Sequence, residues 1–148
     1  MEDECRLKWC FYSSLIFLIN VVIALYYNYY LYAASFMLLT ITSLFYHSHY
    51  TAVTRNMDKM VIYLVVFYGG YLFYTKLKTH LGGGGKMGTF ELMLSLIIIF
   101  TFLSTILFYY YGYRTKSLCF CEDSNKADFF HACMHCVASF GHVCITIL

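Results

Sequence analysis

The feature that most limits how this chain can fold is its succession of long, almost uncharged runs. They cover Trp9 to Tyr27, Leu31 to His47, Met60 to Thr75, Thr89 to Tyr111 and Phe129 to Leu148. A helix that crosses a bilayer needs about 20 apolar residues, with a range of roughly 17 to 25. The composition agrees: 61% of residues are hydrophobic, 21% aromatic and only 12% charged, far more apolar than a soluble domain. The chain therefore reads as an all-α, polytopic transmembrane bundle in a single domain, residues 1–148. Its five expected spans are 9–27, 31–47, 58–75, 89–111 and 129–148. The longest polar segment, about 114–128, is too short to fold alone. The sequence has no proline and no internal repeat.

The first run resembles a signal peptide in position. No small-residue cleavage site follows it, however, and it is longer than a typical signal core, so it reads as the first span. Asn28 marks a short break, which makes the first two spans a helical hairpin. After the third span comes "KLKTHLGGGGKMG". Four consecutive glycines, Gly82 to Gly85, cannot hold a helix at low cost. A phosphate-cradling loop needs its glycines between a strand and a helix, so between two membrane helices the run reads as a flexible linker. Asp128 or Asn125 is expected to cap the fifth helix.

Charge sets an expected orientation. With five spans, the N-terminus, the second loop and the fourth loop share one side, which carries Arg6, Lys8, Arg55, Lys59, Arg114, Lys116 and Lys126. The other side carries Lys76, Lys78 and Lys86. The excess of basic residues puts the N-terminus in the cytoplasm. The net charge of +2 comes with no basic patch of the kind that nucleic-acid binding needs.

The few ionisable groups in the apolar runs gather at that same basic side. Ser43 and His47 are one helical turn apart near the end of the second span and so share a face. Asp58 enters the third span from the same side. His131 and His135, again one turn apart, open the fifth. Three histidines can hold Zn²⁺ and leave a fourth position for water, and zinc brings the pKa of that water to about 7. A carboxylate can take the water's proton, and a serine can hydrogen-bond a developing oxyanion. The set has one candidate for each role: His47, His131 and His135 for the metal, Asp58 as base, Ser43 as donor. The same groups can instead tie helices together through hydrogen bonds, although ionisable residues inside membrane helices are costly and usually functional.

The remaining polar residues have plainer readings. The seven cysteines are Cys5, Cys10, Cys119, Cys121, Cys133, Cys136 and Cys144, an odd number that cannot pair fully within one chain. All seven read as non-catalytic, with Cys133, Cys136 and Cys144 as small buried hydrophobes. Cys119 and Cys121 form a C-x-C pair, weak evidence for a metal or a disulfide. His142 reads as an interhelical hydrogen-bonder, and His49 and His80 as loop residues. Asn20 and Glu91 are further polar positions within spans, Glu91 near enough to an end to reach water.

At "SLFYH" (43–47), Asp58 and "HACMH" (131–135) the sequence resembles the CREST superfamily of membrane proteins. That group includes alkaline ceramidases, hydrolases that remodel GPI lipids, progestin and adipoQ receptors, and myomaker-type proteins. The family pattern is a serine, a histidine four residues on, an aspartate opening the next helix, and H-x-x-x-H in the last helix. The eleven-residue step from His47 to Asp58 is similar to that of the ceramidase and GPI-remodelling branches. The likeness covers about 17 residues around the second and third spans and about 18 at the C-terminus. Family members have seven spans, so this chain would be a reduced version lacking two between Asp58 and His131, with a thinner wall around a lipid pocket. The acidic N-terminal calcium motif of ceramidases is not found in "MEDEC". The resemblance implies an intramembrane zinc-dependent hydrolase of a lipid amide or ester. A metal-activated water would be the nucleophile and a membrane lipid the substrate. The alternative is a non-catalytic relative, receptor-like, fusogenic or partner-binding, that keeps zinc for structure. Survival of all three ligands and both helper residues favours the first. Loss of two helices favours the second.

Overall fold

The computed structural model describes residues 8–82 and 87–148, and among them it contains helices and turns but no strand. The helices are α1 (Lys8–Ser14), α2 (Phe17–Tyr26), α3 (Tyr30–Ser48), α4 (Ala52–Gly82), α5 (Thr89–Ile106), α6 (Gly112–Thr115) and α7 (Ser124–Ile147). A π-helical turn, Leu107–Tyr111, joins α5 to α6, and a 3₁₀ turn, Leu118–Phe120, precedes α7. Thus α1 with α2 form one rod, α5 with α6 another, and α3, α4 and α7 the other three. The glycine run beyond Gly82 and the "MEDEC" segment lie outside the described residues.

Four stretches are long and apolar enough to cross a membrane: Trp9–Tyr26, Ala52–Gly82, Thr89–Phe120 and Ser124–Ile147. The fifth rod, α3, is 19 residues long and turns Ser35, Thr40, Thr42, Ser43 and His47 inward, which lowers its hydropathy. The bundle has a hydrophobic core that includes Phe17, Tyr32, Phe36, Val65 and Ile98, buried polar groups among it, and an apolar exterior. Ser14, Asn20, Ser43, Asp58, His135 and Ser139 are all buried, while Phe67, Phe100, Tyr110 and Val22 stand 61–76% exposed. Small polar residues that let helices approach and bond across are what a bundle in lipid uses in place of a hydrophobic driving force.

Helix α3 packs on α2 and α4, while α7 packs on α5, α1 and α2. The α2–α3 hairpin closes as the sequence suggests. Asn28 takes a left-handed conformation (φ 62°), one that asparagine adopts more readily than most residues. The next amide, Tyr29 N–H, then reaches back to the Ala24 carbonyl at 2.8 Å.

Two sets of contacts fix which loops share an end. At one end Trp9 N–H donates to Asp128 Oδ2 (3.2 Å), and the rings of His47 and His131 meet. At the other, Lys76 Nζ donates to the carbonyls of Ile145 (2.9 Å) and Thr146 (2.7 Å). The same ammonium lies 4.7 Å from the Tyr29 ring centroid. A lysine thereby satisfies carbonyls that the last turn of α7 would leave without partners.

Several boundaries differ from the sequence reading. Helix α4 begins at Ala52 rather than Asp58 and has 31 residues, about 46 Å at 1.5 Å per residue. That exceeds a hydrocarbon core of about 30 Å, so polar Arg55 and Lys59 belong to a helix rather than to a connection. Helix α7 begins at Ser124, capped by Asp123, whose side chain accepts from Asn125 N–H (3.0 Å) and Lys126 N–H (3.3 Å). Asp128, expected as the cap, is instead the acceptor for Trp9. His80 sits in the last turn of α4 and faces the Leu148 carbonyl at 3.3 Å, so it is not a loop residue. Among the cysteines of α7, Cys144 is buried but Cys133 is partly exposed and Cys136 is exposed.

Candidate metal centre

Near the end of α3 and the start of α7, three imidazole side chains come together. The ring centroids of His47 and His131 are 5.2 Å apart, those of His47 and His135 5.5 Å, and those of His131 and His135 4.9 Å. His47 and His135 are buried and His131 is partly so. His47 Nε2 is buried and has no hydrogen-bond partner among the described residues. A buried ring nitrogen without a partner is costly, and an ion at this point would relieve it.

The first rod completes the cluster. Between α1 and α2 the helix tightens, with Leu15 N–H bonded to Tyr12 O and Ile16 N–H to Ser13 O, both at 3.1 Å. The hydroxyls of Ser13 (3.1 Å) and Ser14 (2.8 Å) both reach the Cys10 carbonyl. Competition of this kind for backbone carbonyls disturbs helices, and it accounts for the break. The break aims Ser13 at His135, with Oγ 2.9 Å from Nδ1. A hydroxyl has one proton. With that proton on the Cys10 carbonyl, Ser13 accepts from Nδ1–H of His135, and the Nε2 lone pair of His135 stays free for a metal. Fixing a ligand imidazole through its other nitrogen is the usual outer-shell arrangement of metal sites.

One turn earlier on the same face, Cys10 is buried, and its thiol meets the Asp128 carbonyl at 3.4 Å. Among the described residues, ligand atoms of Cys10, His47 and His131 all lie within 4.8 Å of one another, so this group could hold a metal ion; His135, an expected ligand, is not part of that close group. Imidazole and thiolate are donors suited to zinc and to other borderline or soft ions. The sequence reading took Cys10 as non-catalytic and did not single out Ser13 and Ser14. The available signal was their i, i+3, i+4 spacing at the same end as the histidines.

Ser43 and Asp58 are both buried, and their partners are other polar side chains rather than the histidines. Ser43 Oγ is 2.9 Å from Ser14 Oγ. Because Ser14 gives its proton to the Cys10 carbonyl, Ser43 is the donor in that pair. Asp58 is buried on α4, and its Oδ1 accepts from Thr42 Oγ1 at 3.2 Å. Thr42 and Ser43, adjacent on α3, thus engage α4 and α1 respectively. Among the described residues no hydrogen bond joins Asp58 to an imidazole. Deeper in the bundle Asn20 donates to Ser139, and Tyr32 bonds to His142 Nδ1. His142 is therefore an interhelical bridge, from α7 to α3.

The fold and the cluster together define a multi-pass, all-α membrane protein with a buried histidine and cysteine group at one end of its bundle. No protein-family model, curated protein or solved structure matches the chain.

Proposed function

We propose that the chain holds a zinc ion at this centre and hydrolyses an amide or ester bond of a membrane lipid. The observation that carries the reading is the convergence of the His47, His131 and His135 rings around a buried imidazole nitrogen without a partner. Bound zinc supplies a Lewis acid that polarises a carbonyl and makes hydroxide available near neutral pH.

The chain's own groups have distinct tasks. His47, His131 and His135 present neutral imidazole lone pairs, with the tautomer of His135 set by Ser13. Asp58 accepts the proton of the attacking water. In the present structure its carboxylate accepts from Thr42. Ser43 turns its O–H from Ser14 to the developing oxyanion, which requires only rotation of the hydroxyl. The apolar exterior around the site keeps the acyl chains of a lipid in place while its polar bond enters between α1, α3 and α7.

A second reading has an observation in its favour. Cys10 stands within ligand range of His47 and His131, and a site closed by four protein donors is structural rather than catalytic. Purified protein, assayed for zinc and for fatty-acid release from ceramides and phospholipids, separates the two. Zinc with release supports hydrolysis, zinc without release from a broad panel supports the structural role, and absence of zinc removes both.

A further inference from the structure

We propose that Cys10 is a protein ligand of the metal centre, its thiolate joining His47 and His131 while α1 is docked on α7. The inference rests on the zinc reading and specifies the donor set of the site. Two observations carry it. Sγ of Cys10 lies within 4.8 Å of ligand nitrogens of both His47 and His131. His47 Nε2, on a side chain 4% exposed, has no partner of its own. A sulfur thus lies within ligand range of His47, the residue that carries the unpartnered nitrogen, and of His131.

The surroundings of Cys10 make its engagement reversible. It sits on α1, a helix of only seven residues, separated from α2 by the break at Leu15 and Ile16. The segment is held to α7 by the Trp9 to Asp128 bond and by the thiol contact with the Asp128 carbonyl. When the ion binds, the S–H bond breaks and its proton passes to water. The sulfur lone pair then forms the bond to the metal, and the thiol gives up its contact with the Asp128 carbonyl. Cys10 is in this account a ligand carried by α1, and the docking of α1 on α7 brings it to the site.

The test uses the full chain in detergent, loaded with Co²⁺ in place of zinc. Thiolate ligation gives a sulfur-to-cobalt charge-transfer band in the near ultraviolet, which imidazole and water do not. The wild type is expected to show the band, and Cys10→Ala to bind cobalt without it. Cys136→Ser, on an exposed cysteine of α7, should keep the band. Should Cys10→Ala fail to fold, X-ray absorption of the zinc-loaded wild type gives the same answer, with one sulfur expected at about 2.3 Å. Cobalt or zinc bound without a sulfur signal overturns the role of Cys10 and leaves the histidine site standing. A chain that takes up neither ion overturns the site itself, and this inference with it.

Discussion

His47 on α3 and His131 on α7 stand edge to face, their ring centroids 5.2 Å apart and their planes at 88°. Two imidazoles from different helices meet this way only because the ends of α3 and α7 lie at one depth, and α1 is folded over both. The first prediction tests what the neighbouring carboxylate adds. Asp58→Asn removes a proton acceptor and leaves an amide of nearly the same shape, still able to accept from Thr42. Metal content should be unchanged and lipid hydrolysis should fall about 10²–10⁴-fold, the usual range for a general base. Ser43→Ala should cost less, since it removes a single hydrogen bond. Fatty-acid release by the two variants, each normalised to bound metal, checks the order. Equal activity in Asp58→Asn and wild type would take Asp58 out of the mechanism.

Close approach of α3, α4 and α7 depends on Gly69. A Cβ at this position would lie 2.7 Å from the Tyr32 hydroxyl and 2.8 Å from Cε1 of His142, two groups already bonded to each other. Gly69→Ala should therefore destabilise the bundle by about 1–3 kcal/mol, the range for overpacking. Gly70 is the control, because a Cβ there meets nothing within 4 Å. Gly70→Ala, which also improves helix propensity, should be neutral or stabilising. Detergent unfolding followed by circular dichroism measures both.

Lys76 should matter for stability as a helix cap. Its ammonium donates to the Ile145 and Thr146 carbonyls and lies at the negative end of the α7 dipole. Lys76→Met keeps the apolar stem and loses these bonds, so it should lower stability by about 1–2 kcal/mol, the upper range for a partly buried cation at a helix C-terminus. Lys76→Arg should retain most of it. A drop confined to Lys76→Met in thermal melts is the expected pattern, and equal melts for all three would refute the capping role.

The end carrying the histidines should face the cytoplasm. The basis is the excess of Lys and Arg on the N-terminus and on the loops near Arg55 and Arg114. A glycosylation acceptor inserted into the glycine run should be modified in a membrane-insertion assay, and one inserted between α6 and α7 should not. The reverse pattern would invert the orientation.

The helical class and the approximate rods were legible because apolar length is a strong signal in a chain so poor in charge. The approach of the His47, His131 and His135 rings at one end agrees with i, i+4 spacing and the count of spans. What the sequence could not reveal was the part played by α1. Cys10, Ser13 and Ser14 sit in an apolar run where small polar residues usually serve only for packing, and their importance depends on the break at Leu15. The start of α7 was misjudged for a related reason. Asp123, Asn125 and Asp128 are all competent caps by residue type, and only tertiary contact with Trp9 decides that Asp128 is used elsewhere. The long α4 escaped notice because Arg55 and Lys59 resemble a loop, whereas a helix that outruns the hydrocarbon can carry charges at its end.

Metal analysis of the purified chain bears most directly on the central claim. Expressed with zinc available and freed of loosely bound ions, the wild type should carry close to one zinc per chain. His47→Ala and His135→Ala should carry little, because each removes a ligand from a site whose remaining donors hold zinc far less well. His142→Ala, which breaks only the bond to Tyr32, should retain it. Wild-type protein that is folded by circular dichroism and free of zinc would contradict the account, as would full zinc content in both His47→Ala and His135→Ala.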